Sequence, residues 1–188
     1  YHKSQLVVAV EKMPFRKVLK PLLGEMAIDL GGTTGTLGTQ DDRAVFSHPN
    51  KKIQVAPVIC WESVFGEYVT EYATRGADFL GIITNDGWWG DTDGYKQHFA
   101  YARLRAIENR RAVARSANTG ISGFIDAKGT PLQSLEWDAA GALRQKISIN
   151  REATLYQQVG DIIGRIALFL AVIFLMYAFV RRRIGSKE

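Results

Sequence analysis

The C-terminal part of this 188-residue chain contains an apolar run that strongly limits how the chain can fold. Residues 166–180 are all uncharged, and three arginines at 181–183 follow them directly. Extended back to Ile162, a helix here is about 28 Å long, close to the roughly 30 Å hydrocarbon core of a bilayer. A buried core helix is the alternative, but the run has no polar stripe. The sequence therefore predicts a membrane-spanning helix.

The span divides the chain into three predicted parts. Residues 1–160 form a folded domain, 161–181 the transmembrane helix and 182–188 a basic tail. Arginines beside a span favour the cytoplasmic side, so we expect the tail in the cytoplasm and the domain on the outer face. Residue 1 is a tyrosine, and we expect the chain to be the C-terminal part of a larger protein.

Charge and cysteine content exclude several classes of protein. The formal net charge is +5, but the basic residues are scattered apart from 181–183 and no nucleic-acid motif accompanies them. We therefore expect no nucleic-acid partner. A single cysteine excludes an intramolecular disulfide and any CxxC metal motif. The histidines at 2, 48 and 98 lack metal-ligand spacing.

Hydrophobic periodicity predicts an α/β fold with the order β-α-β-α-β-β. Helices are expected at 64–75 and 95–110, a loop at 31–42 and a turn at 126–129. A basic amphipathic segment at 15–23 is expected either on a membrane surface or against the core. The predicted strands lie at 3–10, 53–59, 79–84, 112–116, 123–125 and 143–149.

The only cysteine, Cys60, lies where the strand at 53–59 meets the helix that follows it. A thiol on such a turn can project into a cleft, with the backbone N–H of Trp61 beside it. This arrangement suits acyl transfer, in which a thiolate attacks a carbonyl and an N–H stabilises the oxyanion. The alternative is that a lone cysteine is a small buried apolar residue.

Further motifs help to decide between these two interpretations of Cys60. They are Tyr1-His2-Lys3 with Leu6-Val7 and Glu11, Pro57 to Glu62, Asn85 to Gly90, Gln97-His98, Ala102-Arg103, Arg105-Ala106, and Asn118 to Ser122. Together with the terminal span, these motifs resemble the nitrilase superfamily and, more closely, the C-terminal part of the bacterial apolipoprotein N-acyltransferase family. The resemblance implies a partial nitrilase-like α-β-β-α sandwich followed by one C-terminal transmembrane helix.

The resemblance also implies roles for individual residues. Cys60 is the expected nucleophile, and Lys3 is expected to hold the thiolate and the developing oxyanion. The remaining assignments are the Trp61 N–H as a second oxyanion donor, Glu62 and Glu11 as supporting carboxylates, Glu11 on a mobile arm, and Trp88 near the lipid entrance.

Each of these residues also has a purely structural explanation. Lys3 could be a charged side chain in contact with solvent, and Trp88 could cover the core. Asp86 is alternatively a turn former. His98 is expected to pack or to form hydrogen bonds rather than to act as a base.

Two features depart from the family pattern. The family usually has Pro and Gly before Glu11, where this chain has Val8-Ala9-Val10, and β-branched residues stiffen a hinge. The general-base glutamate of the family belongs upstream of Lys3 and therefore precedes residue 1. We expect the chain as given to be inactive without the upstream part of the same enzyme.

The resemblance implies a two-step reaction at the bacterial inner membrane, on its periplasmic face. Cys60 takes an acyl chain from a membrane phospholipid as a thioester and passes it to the N-terminal diacylglyceryl-cysteine amine of an apolipoprotein. No metal or diffusible cofactor is implied. The alternatives are a nitrilase-type amidase that hydrolyses a small amide, and a catalytically incomplete membrane-anchored module.

Overall fold

A computed structural model describes residues 1–8, 10–12 and 37–185 of the chain. The described part forms one mixed sheet, four α-helices and two short 3-10 turns, at Cys60–Val64 and Gly87–Trp89. The strands are β1 (Phe46–Ser47), β2 (Gln54–Ile59), β3 (Phe79–Thr84), β4 (Ala112–Ala117), β5 (Ser122–Ile125) and β6 (Pro131–Leu135). The helices are α1 (Gly66–Thr74), α2 (Asp93–Asn109), α3 (Leu155–Val159) and α4 (Ile162–Gly185).

The strands follow one another across the sheet in chain order. β2, β3 and β4 are parallel, and α1 and α2 connect them. β1 joins one side in antiparallel pairing, and β5 and β6 extend the other side in the same way. The carboxyl ends of the three parallel strands therefore share one edge, where α/β proteins usually place their ligands.

The core lies between the sheet and the two connecting helices. Alternate strand residues face the helices, as period-two patterning predicts. Ala102 and Ala106 on α2 are fully buried, and their small side chains allow close packing of the helix on the sheet. The other core residues are Ala56, Val58, Tyr68, Val69, Tyr72, Ala77, Leu80, Ile82, Val113 and Ile125.

The opposite face of the sheet has no helical layer among the described residues. It borders a groove of about 680 Å³ whose lining includes residues of β2 to β5 and the segment 139–143. Ile83, on this face of β3, is 65% exposed. The described part is thus one helical layer on one sheet, which is half of the predicted sandwich.

Two predicted strands are wrong. Residues 3–8 and 10 contain no strand, only an isolated bridge between Val8 and Lys12. Residues 143–149 alternate in burial as a strand does, but they pair with no described strand. Two real strands, β1 and β6, were not predicted, because both are short, largely exposed pieces with weak patterning. The predicted segment at 15–23 and the first half of the loop at 31–42 lie outside the described residues, and residues 37–42 form no helix or strand, as predicted.

Helix α4 is long and apolar enough to cross a bilayer. Its 24 residues measure about 36 Å. Nearly all of its described side chains are exposed, so it is not a core helix of this domain. The alternative of a buried helix is therefore wrong for the described part of the chain.

The start of α4 is attached to the first turn of α1 by one carboxylate. Glu67 accepts hydrogen bonds from the Asp161 N–H at 2.9 Å and from Arg165 Nη2 at 2.6 Å. Gly160 has a φ of 65°, and a Cβ there would collide with the Glu67 carboxylate. The apolar helix is thereby connected to the helix that directly follows the Cys60–Val64 turn.

Candidate active site

Cys60 is the first residue of the 3-10 turn that continues β2 at the shared edge of the sheet. Its φ is 51°, in the left-handed region that residues with a side chain adopt only at an energetic cost. Such strain persists where the surroundings hold the residue in place, often at functional sites. The thiol belongs to a half-buried residue and is not a core side chain.

Glu62, two positions later, is completely buried and fully hydrogen bonded. Its Oε1 accepts from the Ser4 N–H at 2.6 Å and from the Tyr68 hydroxyl at 2.7 Å. Its Oε2 accepts from the Ile59 N–H at 2.8 Å. Both oxygens are therefore engaged, and the carboxylate connects the segment beside Lys3 to the turn beside Cys60.

Lys3 forms a two-pronged ion pair with Glu11. Its Nζ donates to both carboxylate oxygens, at 2.9 and 2.7 Å, and Glu11 also accepts from the Val7 N–H at 2.8 Å. The Lys3 side chain is only 11% exposed, so its interpretation as a solvated charge is wrong. Glu62 and Glu11 thus both act as anchors for the segment that carries Lys3.

The aromatic residues near Cys60 differ in their surroundings. Trp61 packs edge-to-face against Phe65, with ring centroids 6.4 Å apart. Trp88 lies on the Gly87–Trp89 turn and is 62% exposed, so it does not cap the core. Its neighbour Trp89 packs instead against the His98 ring, with centroids 5.1 Å apart.

A second buried cluster lies directly behind the Cys60–Val64 turn. Asp86 follows β3, His98 lies on α2 and Arg115 on β4, and all three are buried. Asp86 Oδ1 lies 2.8 Å from His98 Nδ1 and accepts from the Thr84 hydroxyl at 2.8 Å. Arg115 forms an ion pair with the other carboxylate oxygen.

The charges in this cluster compensate one another. Burial by itself raises the pKa of Asp86, but the hydrogen bond with His98 and the charge of Arg115 outweigh it, and the net pKa is lowered. Burial also lowers the pKa of Arg115, while Asp86 opposes that shift. Asp86 is therefore held as a carboxylate inside the protein.

The cluster reaches Cys60 through its carbonyl oxygen and not through its thiol. His98 Nε2 lies 3.2 Å from the Cys60 oxygen and 3.0 Å from Ser63 Oγ. The Ser63 hydroxyl itself donates to the Cys60 oxygen at 2.8 Å. The sequence predicted a hydrogen-bonding His98, but the parts played by Asp86, Ser63 and Arg115 were missed.

A signal for this cluster does exist in the sequence. Arg115 interrupts a largely apolar predicted strand, and Asp86 lies two positions after the end of the neighbouring strand. Opposite charges at such positions indicate a buried pair, because an unpaired buried charge is very costly. Among the described residues, no group of three or more His, Cys, Asp or Glu side chains could hold a metal ion.

Comparison with known proteins decides the family. Residues 1–157 match the carbon-nitrogen hydrolase family. The chain belongs to that family. The resemblance to the apolipoprotein N-acyltransferases is also confirmed. Several proteins of that name are similar in sequence to this carbon-nitrogen hydrolase over nearly its whole length.

One such protein, from Chlorobaculum tepidum, is 33% identical and matches 97% of this chain and 34% of its own length. Another, from Haemophilus influenzae, is 31% identical and matches 98% of this chain and 35% of its own length. This carbon-nitrogen hydrolase chain therefore spans about a third of the length of these relatives.

Solved structures support the fold. A mutant of the Nesterenkonia AN1 amidase from the nitrilase superfamily is similar with a TM-score of 0.51. The identity is 20%, and the match covers 73% of this chain and 46% of the amidase. At that identity the likeness shows the fold alone, and it confirms the predicted nitrilase-like α/β class.

Proposed function

We propose that this chain is the nucleophile-bearing part of an enzyme that N-acylates apolipoproteins, with Cys60 as the nucleophile. The main support is one contact set: Glu62 links the segment of Lys3 to the turn of Cys60 at the shared edge of the sheet. The names of the relatives supply the reaction class. The proposed acyl donor is a membrane phospholipid, and the acceptor is the N-terminal diacylglyceryl-cysteine amine of an apolipoprotein.

In the first step the Cys60 thiolate attacks the ester carbonyl of the phospholipid. A carbon–sulfur bond forms, the ester carbon–oxygen bond breaks, and the lysophospholipid leaves as an alcohol after taking up a proton. Lys3 Nζ and the Trp61 N–H are the groups proposed to stabilise the tetrahedral oxyanion. The lysine charge also favours the thiolate over the thiol.

In the second step the amine of the diacylglyceryl-cysteine attacks the thioester. An amide bond forms, the carbon–sulfur bond breaks, and the Cys60 sulfur leaves as a thiolate while the amine loses a proton. A general base is needed in both steps. Glu62 is fully hydrogen bonded and Glu11 is paired with Lys3, so we propose that the base is a glutamate in upstream sequence.

The apolar helix gives the proposal a physical basis at the membrane. Both proposed substrates are lipids, and anchoring the domain raises their effective concentration at the site. The arginines at 181–183 favour a cytoplasmic C-terminus. We therefore propose that the domain lies on the periplasmic face of the bacterial inner membrane, with exposed Trp88 close to the lipid entrance.

The decisive test traps the acyl-enzyme. The full product of the gene is incubated with fluorescent phospholipid, and we expect a hydroxylamine-sensitive acyl adduct on Cys60. Cys60→Ala should abolish both the adduct and transfer to a diacylglyceryl-cysteine peptide. Cys60→Ser should be nearly as inactive, because an alkoxide forms far less readily than a thiolate. His48→Gln, at an exposed position, is the control variant and should transfer as wild type does. Acyl transfer by Cys60→Ala would refute the proposal.

A further inference from the structure

The carbonyl of Cys60 and the N–H of Trp61 belong to the same peptide group. No peptide bond among the described residues is cis. In a planar trans peptide the C=O and N–H bonds point in opposite directions, so holding the oxygen also aims the hydrogen. Near the start of the Cys60–Val64 turn, the Trp61 N–H has no acceptor within the turn. It is therefore available to a reacting carbonyl.

The oxygen of this peptide is held from behind by two donors. His98 Nε2 approaches it at 3.2 Å and the Ser63 hydroxyl at 2.8 Å. Ser63 Oγ also lies 3.0 Å from His98 Nε2, so the three groups form a closed triangle. Because the serine gives its hydrogen to the Cys60 oxygen, its own oxygen is free to accept from the imidazole.

The two ring nitrogens of His98 face different partners. Nδ1 lies 2.8 Å from Asp86 Oδ1 and 3.4 Å from the Arg115 guanidinium. Nε2 lies against the Cys60 carbonyl oxygen, which can only accept, so this contact is made by a hydrogen on Nε2. The ring therefore links the Asp86 carboxylate on one side to the Cys60 peptide on the other.

The imidazole is held firmly in this orientation. Asp86 is itself fixed by Arg115 and by the Thr84 hydroxyl, all in the buried interior. The Trp89 ring packs against the imidazole from the loop that follows β3. A Cβ at Gly120 would collide with Asp86, so the β4–β5 turn also closes on this group. These contacts leave the ring no room to turn away.

We propose that Asp86, His98 and Ser63 form a relay that aims and polarises the Cys60–Trp61 peptide, so that the Trp61 N–H becomes a stronger oxyanion donor. The inference rests on the oxyanion role given to Trp61 in the proposed function. Donors on the carbonyl oxygen draw electron density from the amide, and hydrogen bonds in such chains strengthen one another. His98 is thus a positioning residue that never touches substrate.

Two substitutions at one position separate this role from simple packing. A glutamine amide nitrogen lies close to where Nε2 was, so His98→Gln keeps a donor to the Cys60 oxygen. An asparagine amide nitrogen mimics Nδ1, so His98→Asn keeps the contact to Asp86 but loses that donor. Both changes remove the ring. Ser63→Ala tests the second donor with little change in buried volume.

The probe is p-nitrophenyl butyrate with the full gene product, because acylation of Cys60 by this ester forms an oxyanion without any lipid. We expect the acylation burst of His98→Asn to slow by at least about tenfold, short of the roughly 10²–10³ lost with a whole oxyanion donor. His98→Gln should stay close to wild type, Ser63→Ala should fall between the two, and KM should not change.

Alkylation of Cys60 by iodoacetamide is the matched control. The thiolate displaces iodide from the CH₂ carbon of this reagent, and no oxyanion forms. The asparagine and glutamine variants should alkylate at the same rate. Asn109→Ala, a buried change on α2 away from the site, should lower stability without altering the ratio of burst to alkylation rates. The relay is refuted if His98→Asn acylates as fast as His98→Gln or loses both reactions equally. No burst from wild type would instead refute Cys60 as the acyl carrier.

Discussion

The backbone N–H of Ser4 donates a 2.6 Å hydrogen bond to the buried carboxylate of Glu62, 58 positions further along the chain. The same carboxylate accepts from the Ile59 N–H, one residue before Cys60. Lys3 precedes Ser4 directly, so a single buried side chain sets the relative placement of the proposed lysine and nucleophile. Hydrogen bonds to a buried charged acceptor are the stronger kind.

Glu62→Gln should damage stability and activity together. The four groups that face Glu62, including the Tyr1 hydroxyl at 3.5 Å, all donate, whereas a glutamine amide replaces one acceptor oxygen by a donor nitrogen. One buried N–H or hydroxyl is left unsatisfied, at a cost of about 1–3 kcal/mol in the free energy of unfolding. Thermal unfolding in detergent and the Cys60 acylation burst measure the two effects. A stable but inactive Glu62→Gln variant would show that Glu62 takes part in the chemistry.

Lys3→Met should abolish most of the acylation while leaving the fold intact. The substitution keeps much of the side-chain volume but removes the charge proposed to stabilise the oxyanion, and loss of one such donor costs about 10²–10³ in rate. Lys3→Arg keeps the charge and the pairing with Glu11 and should lose less. The burst with p-nitrophenyl butyrate measures the rates. Equal activity in the methionine variant would remove Lys3 from the mechanism.

The lowered pKa of Asp86 predicts that the free energy of unfolding depends on pH. Because its pKa is lowered in the folded state, its contribution is fully present above the ordinary value of 3.8 and is lost as the pH falls through the lower folded value. At pH 7, Asp86→Asn leaves Arg115 unpaired, which costs about 3–5 kcal/mol for a buried pair.

The free energy of unfolding of wild type and Asp86→Asn, measured between pH 7 and pH 2, tests this direction of the pH dependence. The difference between the two proteins should be largest near neutrality and should shrink in acid. A difference that grows on acidification would mean that Asp86 is protonated in the folded protein.

The link between α1 and α4 predicts a measurable coupling between two side chains. Glu67→Gln keeps an acceptor for the Asp161 N–H but loses the charge that pairs with Arg165, and Arg165→Gln removes the other charge. A double-mutant cycle of thermal stability should give a coupling of about 0.2–1 kcal/mol, the range for exposed pairs. Strictly additive effects would show that the ion pair does not hold the apolar helix to the domain.

Local patterns in the chain were enough to predict the parallel strands β2, β3 and β4, the helices between them and the turn at 126–129. Each of these strands and helices shows its own hydrophobic pattern and buries one face, and the turn is marked by its polar and glycine residues. Residues 3–8, 10 and 143–149 have strand-like patterns yet form no strand in the described part of the chain, because a strand also needs a hydrogen-bonding neighbour. Pairing is a property of two segments, and one pattern cannot predict it.

The sequence by itself determined the apolar helix, the α/β class and the position of Cys60 at the end of a strand, since all three depend on residues close in the chain. Only the tertiary structure decided what Glu62 and His98 do. Ser4 lies 58 positions from Glu62, and Cys60 lies 38 positions from His98. Partners so far apart meet because the fold brings them together beside the carboxyl ends of the parallel strands, where burial makes an unpaired charge costly.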